Sequence, residues 1–252
     1  MKKRNLKKAQ VTTFIILAIL IVGSISTVIY LQNTKTQEFF ESSENKAKLD
    51  NAKNLVNTCI ENSVSDSLQI IGFQGGYYEK PKYYYENNGL TGTFFTYYYY
   101  QGQILNPSKT IVEKELEKAV NSELEKCKNI EETGFELEFK NPKTKVSIYE
   151  KEILFDINYP ISIIIDGKST NIFKAHKINK VSGLNDILET ANFMTESRKE
   201  NPESDCISCL AEITEDKNLY IEVYNFDEDT TIVGIYENYT LEQQTFIFLN
   251  KF

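Results

Sequence analysis

Four cysteines, Cys59, Cys127, Cys206 and Cys209, and one histidine, His176, are the side chains of widest chemical reach in this 252-residue chain. Cys59 and Cys127 each fall on the apolar stripe of a predicted helix. A bridge between them would pin those helices together and leave Cys206 and Cys209 as a local bridge within "CISC". Four cysteines allow three connectivities, and structural disulfides in an exported body are the leading reading. A thiol–disulfide redox pair would want C-x-x-C at a helix N-terminus after a strand, where the thiol pKa falls. Here "CISC" follows a polar loop. A zinc site would need a second matched pair, and Cys59 and Cys127 are not spaced as one.

The other candidates read as structure. His176 lies in a predicted strand among Lys174, Lys177 and Lys180, and the chain has no G-x-S-x-G nucleophile elbow. "DGKST", Asp166 to Thr170, has the ending of a phosphate-binding loop, but Ser162 stands where the upstream glycine belongs, so a hairpin turn is expected. "FDEDTT" gathers Asp227, Glu228 and Asp229, yet Ile232 occupies the glycine position of a calcium loop. Asn238 opens an N-x-T sequon. No catalytic group, cofactor site or metal site is expected from these patterns, and the chain does not read as an enzyme.

Tyrosine is the unusual feature. Nine of the 16 Tyr lie between Tyr77 and Tyr100, including Tyr83, Tyr84, Tyr85 and the run Tyr97, Tyr98, Tyr99, Tyr100. Consecutive strand residues point to opposite faces, so some rings must be exposed or covered by a partner. Tyr joins a rigid apolar plate to a polar tip and is enriched at recognition surfaces. These seven residues are therefore the candidate contact surface, with packing inside the domain as the alternative.

The elements that would carry these residues follow from hydropathy. Val11 to Leu31 is 21 uncharged residues, 13 of them Val, Ile, Leu or Phe. As a helix that is roughly 31 Å, close to the ~30 Å of a bilayer core. Lys2, Lys3, Arg4, Lys7 and Lys8 precede it with no acidic residue, which predicts a cytoplasmic N-terminus and an exported body. The whole chain carries −8, so with those five cations set aside the remainder carries −13, which argues against a nucleic-acid partner.

Downstream, apolar residues at three- and four-residue steps predict helices over 36–71, 108–128 and 182–200. "KYYYENNGLTGTFFTYYYY" reads as two strands around Asn88-Gly89, and the alternating runs after Gly134 read as an antiparallel meander with Pro160 at an edge or bulge. The expected fold is α+β: an N-terminal transmembrane helix continuing into a stalk helix, then an ectodomain of mostly antiparallel sheet and two or three helices. Residues 1–9 would be a basic leader, 10–34 the membrane helix, 35–72 the stalk and 73–252 the extracytoplasmic domain, which could divide near residue 130.

The start "KKAQ" before the apolar run resembles the class III signal of archaeal type IV pilin-like proteins. That resemblance implies a cut between Ala9 and Gln10, with the apolar segment kept and able to pack into a filament core. Phe14 stands where bacterial pilins carry Glu. "CIENSVSDSLQIIGFQGGYY", "CISC" and "FIFLNK" are similar to an uncharacterised archaeal group of membrane-anchored surface proteins, which implies topology and cysteine pairing but no activity. The expectation is a single-pass cell-membrane protein with its C-terminal domain outside, of structural or adhesive type. Its partners would be membrane lipid through 11–31 and a protein, or another copy, through that helix or the Tyr-rich surface. The alternative is an extracytoplasmic thiol–disulfide protein using Cys206 and Cys209.

Overall fold

The computed structural model describes residues 17–27, 29–30, 39–86, 92–130, 134–200, 207–238 and 244–252. Helix α1 (Ser43–Phe73) buries Ala52, Val56, Ile60, Val64 and Ile71 at helical spacing. Helix α2 (Lys109–Glu125) begins where the Ser108 hydroxyl accepts from the Ile111 N–H at 3.4 Å, and it buries Val112, Leu116, Ala119, Val120 and Leu124. One turn of 3-10 helix (Lys126–Asn129) follows and carries buried Cys127. Helices α3 (Leu184–Glu200) and α4 (Ile207–Lys217) complete the set. Helix α4 was not expected: at 11 residues it is short, and Ile207, Leu210 and Ala211 make a single apolar step.

The strands form two sheets. The first runs β1 (Tyr84–Glu86), β2 (Phe94–Tyr100), β10 (Thr245–Lys251), β9 (Thr230–Glu237), β8 (Leu219–Asn225), with β3 (Gln103–Ile104) also on β2. The second centres on β6 (Glu152–Ile165), which pairs along one edge with β7 (Lys168–Val181). Its other edge takes β4 (Glu136–Phe139) and β5 (Lys143–Ile148). The expected meander is modified here, because β4 and β5 share β6 rather than pairing with each other. At 14 residues, β6 is long enough for two short partners. Its register shifts between Asn158 and Ile161, around Pro160, which cannot donate to the ladder.

The pairings are mostly antiparallel, as expected, and β10 lying parallel to β2 makes the first sheet mixed. The single-pass membrane topology, and with it a helix running from membrane into stalk, is overturned. No helix among the described residues is long and apolar enough to cross a membrane. Residues 17–27 and 29–30 are helical. Helix α1 has the length, but Glu44, Lys46, Lys48, Asp50, Lys53, Glu61 and Asp66 give it a charged face. Of the segment expected as the membrane helix, residues 10–16, 28 and 31–34 lie outside the described residues.

The core joins both sheets to α1, α2 and α3. Tyr98, Phe246 and Phe248 from the first sheet meet Phe155, Ile157 and Tyr159 from the second within one cluster. At fully buried positions the aromatic and aliphatic side chains each contribute about 1.5–3 kcal/mol. The exit of α1 is built against β10 by glycine. A Cβ on Gly72 would sit 2.1 Å from the Thr245 carbonyl oxygen, and Gly75 turns away at φ 62°.

Candidate functional site

Cys59 of α1 and Cys127 of the 3-10 turn form a disulfide that spans 68 residues of sequence. Cys209 is also disulfide-bonded and lies in the first turn of α4. Cys206 lies outside the described residues, as do Ala9, Gln10 and the Asn88-Gly89 turn. Asn238 is exposed at the end of β9, where its N–H donates to the Asn218 carbonyl. His176 is half-buried in β7 with its ring 5.2 Å from that of Phe173. In the acidic turn, the Asp229 N–H donates to Asp227 Oδ1, and the Asp229 carboxylate pairs with Lys251 at 3.2 Å.

The structure divides the seven candidate tyrosines. Tyr97, Tyr98 and Tyr99 are buried, so the contact surface does not include them. Tyr98 stacks on Phe248 and donates to the Gly75 carbonyl at 3.2 Å, and burial pushes its pKa up. Strand β2 has both edges paired, and its buried rings pack on its faces: Tyr98 in the core beside Phe246 and Phe248, Tyr99 against Phe252. Tyr83 stacks on Tyr100 under Lys82, while Tyr84 and Tyr85 are exposed. Tyr85 meets Phe226, whose turn folds back over the sheet. The most exposed described strand tyrosines are ones the sequence reading passed over, Tyr220 (54%) and Tyr224 (56%) on β8.

What these rings border is a sheet edge, and the edges differ. The outward N–H groups of Thr144, Val146 and Ile148 on β5 donate to Asn121 Oδ1, Glu117 Oε1 and Glu113 Oε1 at 3.0, 3.1 and 2.9 Å. Helix α2 thus presents acceptors at i, i+4 and i+8, a column matching alternate strand residues. Strand β7 is an outer strand guarded by Lys168, Lys174, Lys177 and Lys180, a usual defence of open edges.

Strand β8 pairs only with β9. The Phe226 N–H donates to Thr230 and the Asn238 N–H to Asn218, so the ladder uses the even-numbered residues of β8. The backbone groups of Ile221, Val223 and Asn225 therefore point outward, and no described residue bonds them. Around them stand Tyr220, Glu222 and Tyr224. The Glu222 carboxylate beside it raises the pKa of the Tyr224 hydroxyl.

Other polar clusters are internally matched. Asp186 accepts from Lys151 and Lys217 at 2.6 and 3.0 Å; burial pushes its pKa up, but those two cations hold it below its ordinary value. Glu115 accepts from the Tyr78 and Glu79 N–H groups and from Lys118; burial opposes ionisation, yet the donors hold its pKa down. A cavity of about 420 Å3 between α1, β2 and β10 is lined largely by Ile70, Phe73, Phe95 and Ile247. Gln74 also lines it, and its buried Oε1 has no hydrogen-bond partner among the described residues. Among the described residues, no group of three or more His, Cys, Asp or Glu is placed to hold a metal ion.

These features define an α+β domain whose described outer strands include a tied-down β5, a lysine-guarded β7 and a bare, aromatic β8. Comparison with protein-family models, curated proteins and solved structures finds no match for this chain.

Proposed function

We propose that the protein is a structural or interaction subunit that works by binding other protein chains, copies of itself first, and not by catalysis. The observation that carries this reading is the β8 edge, where outward backbone groups have no partner among the described residues beside exposed Tyr220, Val223 and Tyr224. Exposed, aromatic-rich edges of this kind favour pairing with another chain. Residues 17–27 and 29–30 add to it: they are helical and uncharged, and Ile19, Leu20, Val22 and Tyr30 are exposed. A helix that is apolar around its circumference is normally buried. The pilin-like start proposes that the cover is the same segment in other copies, after cleavage between Ala9 and Gln10.

The test is sedimentation velocity of the full chain over a wide concentration range, with N-terminal sequencing of the native protein. Concentration-dependent association and a start at Gln10 are expected. A monomer at every concentration would overturn self-association, and an intact Met1 would overturn the pilin-like start.

A second reading, a thiol–disulfide protein using Cys206 and Cys209, draws on the place of Cys209 in the first turn of α4, where helix amides favour a thiolate. Thiol trapping under mild reduction separates the two. An inert bridge removes the redox reading, and ready exchange with dithiols supports it.

A further inference from the structure

Two outer strands at different places in the fold carry opposite charge. From Lys168 to Val181, β7 has four lysines and no acidic residue. Lys174 and Lys177 are exposed on it, and Lys177 has only a 3.9 Å contact to Asp156. From Leu219 to Thr230, β8 and its turn have Glu222, Asp227, Glu228 and Asp229 and no lysine or arginine. Both strands also have free backbone. The Ser182 N–H donates to the Lys151 carbonyl, which fixes the β6–β7 alternation. Ala175, Lys177, Asn179 and Val181 then turn their backbone groups outward, as Ile221, Val223 and Asn225 do on β8.

Resting on the self-association reading above, we propose that β7 of one copy pairs with β8 of the next, joining the two sheets into a head-to-tail chain of copies. Charge selects this occupant. A β8–β8 contact would set Glu222 and the acidic turn near their own like, and a β7–β7 contact would bring lysines together. Like charges facing each other across a strand pair are unfavourable, whereas β7 against β8 sets cation to anion. The lysines that keep β7 from pairing at random are, in this arrangement, its address label. Because the two surfaces differ, a copy that pairs through one of them keeps the other free for a further copy, which makes the contact heterologous.

Charge exchange tests the pairing. One variant of the full chain carries Lys174→Glu, Lys177→Glu and Lys180→Glu; a second carries Glu222→Lys and Glu228→Lys. Circular dichroism and melting confirm that each folds. In sedimentation velocity each variant alone should associate at least tenfold more weakly than the parent, and an equal mixture should regain association. Parental association should also weaken in about 1 M NaCl, where the Debye length is ~3 Å. Val223→Pro removes an outward N–H and no ladder bond, and should likewise disperse the chain. Variants that associate as the parent does, or a mixture no better than its components, would overturn the β7–β8 contact and leave self-association through another surface standing. A parent that never associates would overturn both.

Discussion

Strands β5 and β8 are both short outer strands, but the chain treats them in opposite ways. On β5 three outward donors are taken by Asn121, Glu117 and Glu113, so a helix completes what a further strand would have done. On β8 the equivalent groups of Ile221, Val223 and Asn225 have no described partner, and the side chains beside them are tyrosine and valine. The difference shows that this fold has the means to close an edge within about 30 residues of sequence and uses it at one edge. The energetic stakes differ accordingly. An N–H left buried and unpaired costs about 1–3 kcal/mol, whereas one facing water costs little. Strand β5 is therefore committed to the fold, and β8 is available for function.

The contrast can be broken most severely from the α2 side. Cys59→Ser with Cys127→Ser removes the covalent tie between α1 and the end of α2, the helix that caps β5. The expected loss is about 2–5 kcal/mol in denaturant unfolding, with self-association still measurable at low denaturant. Next in size is Glu117→Ala, which leaves the Val146 N–H without its acceptor. A loss of about 1–3 kcal/mol is expected, with the Thr144 and Ile148 bonds limiting the damage.

Acid should act on the same helix through Glu115. Its folded pKa lies below the ordinary 4.5, so its ionised form stabilises the fold above that value. That contribution is lost as pH falls below 4.5 and through the folded pKa. Melting followed from pH 6 to about pH 3 should show a decline that is shallower in Glu115→Gln than in the parent. The smallest stability effect belongs to the other edge. Tyr224→Ser on β8 should change unfolding by no more than about 0.5 kcal/mol while weakening association.

Parts of this were legible in the sequence. The helices of α1, α2 and α3 show an apolar period, and Cys59 and Cys127 fall on the stripes that the disulfide joins. The β5 caps were not legible. Glu113 and Glu117 look like solvent-facing charges from within α2, and the donors they meet lie 35 and 29 residues further on. The same holds for Tyr97, Tyr98 and Tyr99. Four consecutive tyrosines have no period, so only what packs on each face of β2, including Phe246, Phe248 and Phe252 from the far end of the chain, decides that those three are covered. Tyr220 and Tyr224 were passed over because an alternating strand looks the same at an edge as in the middle of a sheet. The N-terminal run shows the opposite failure: hydropathy alone predicted a membrane-spanning helix, and no described helix has both the length and the apolar composition for one.

Residue-resolved amide hydrogen exchange compares the two edges directly. The N–H groups of Thr144, Val146 and Ile148 should exchange slowly at every protein concentration. Those of Ile221, Val223 and Asn225 should exchange fast in dilute solution and become protected as concentration rises. Protection of the β8 amides that is already complete at the lowest concentration, or that never develops, would contradict the claim that β8 is an edge held open for another chain.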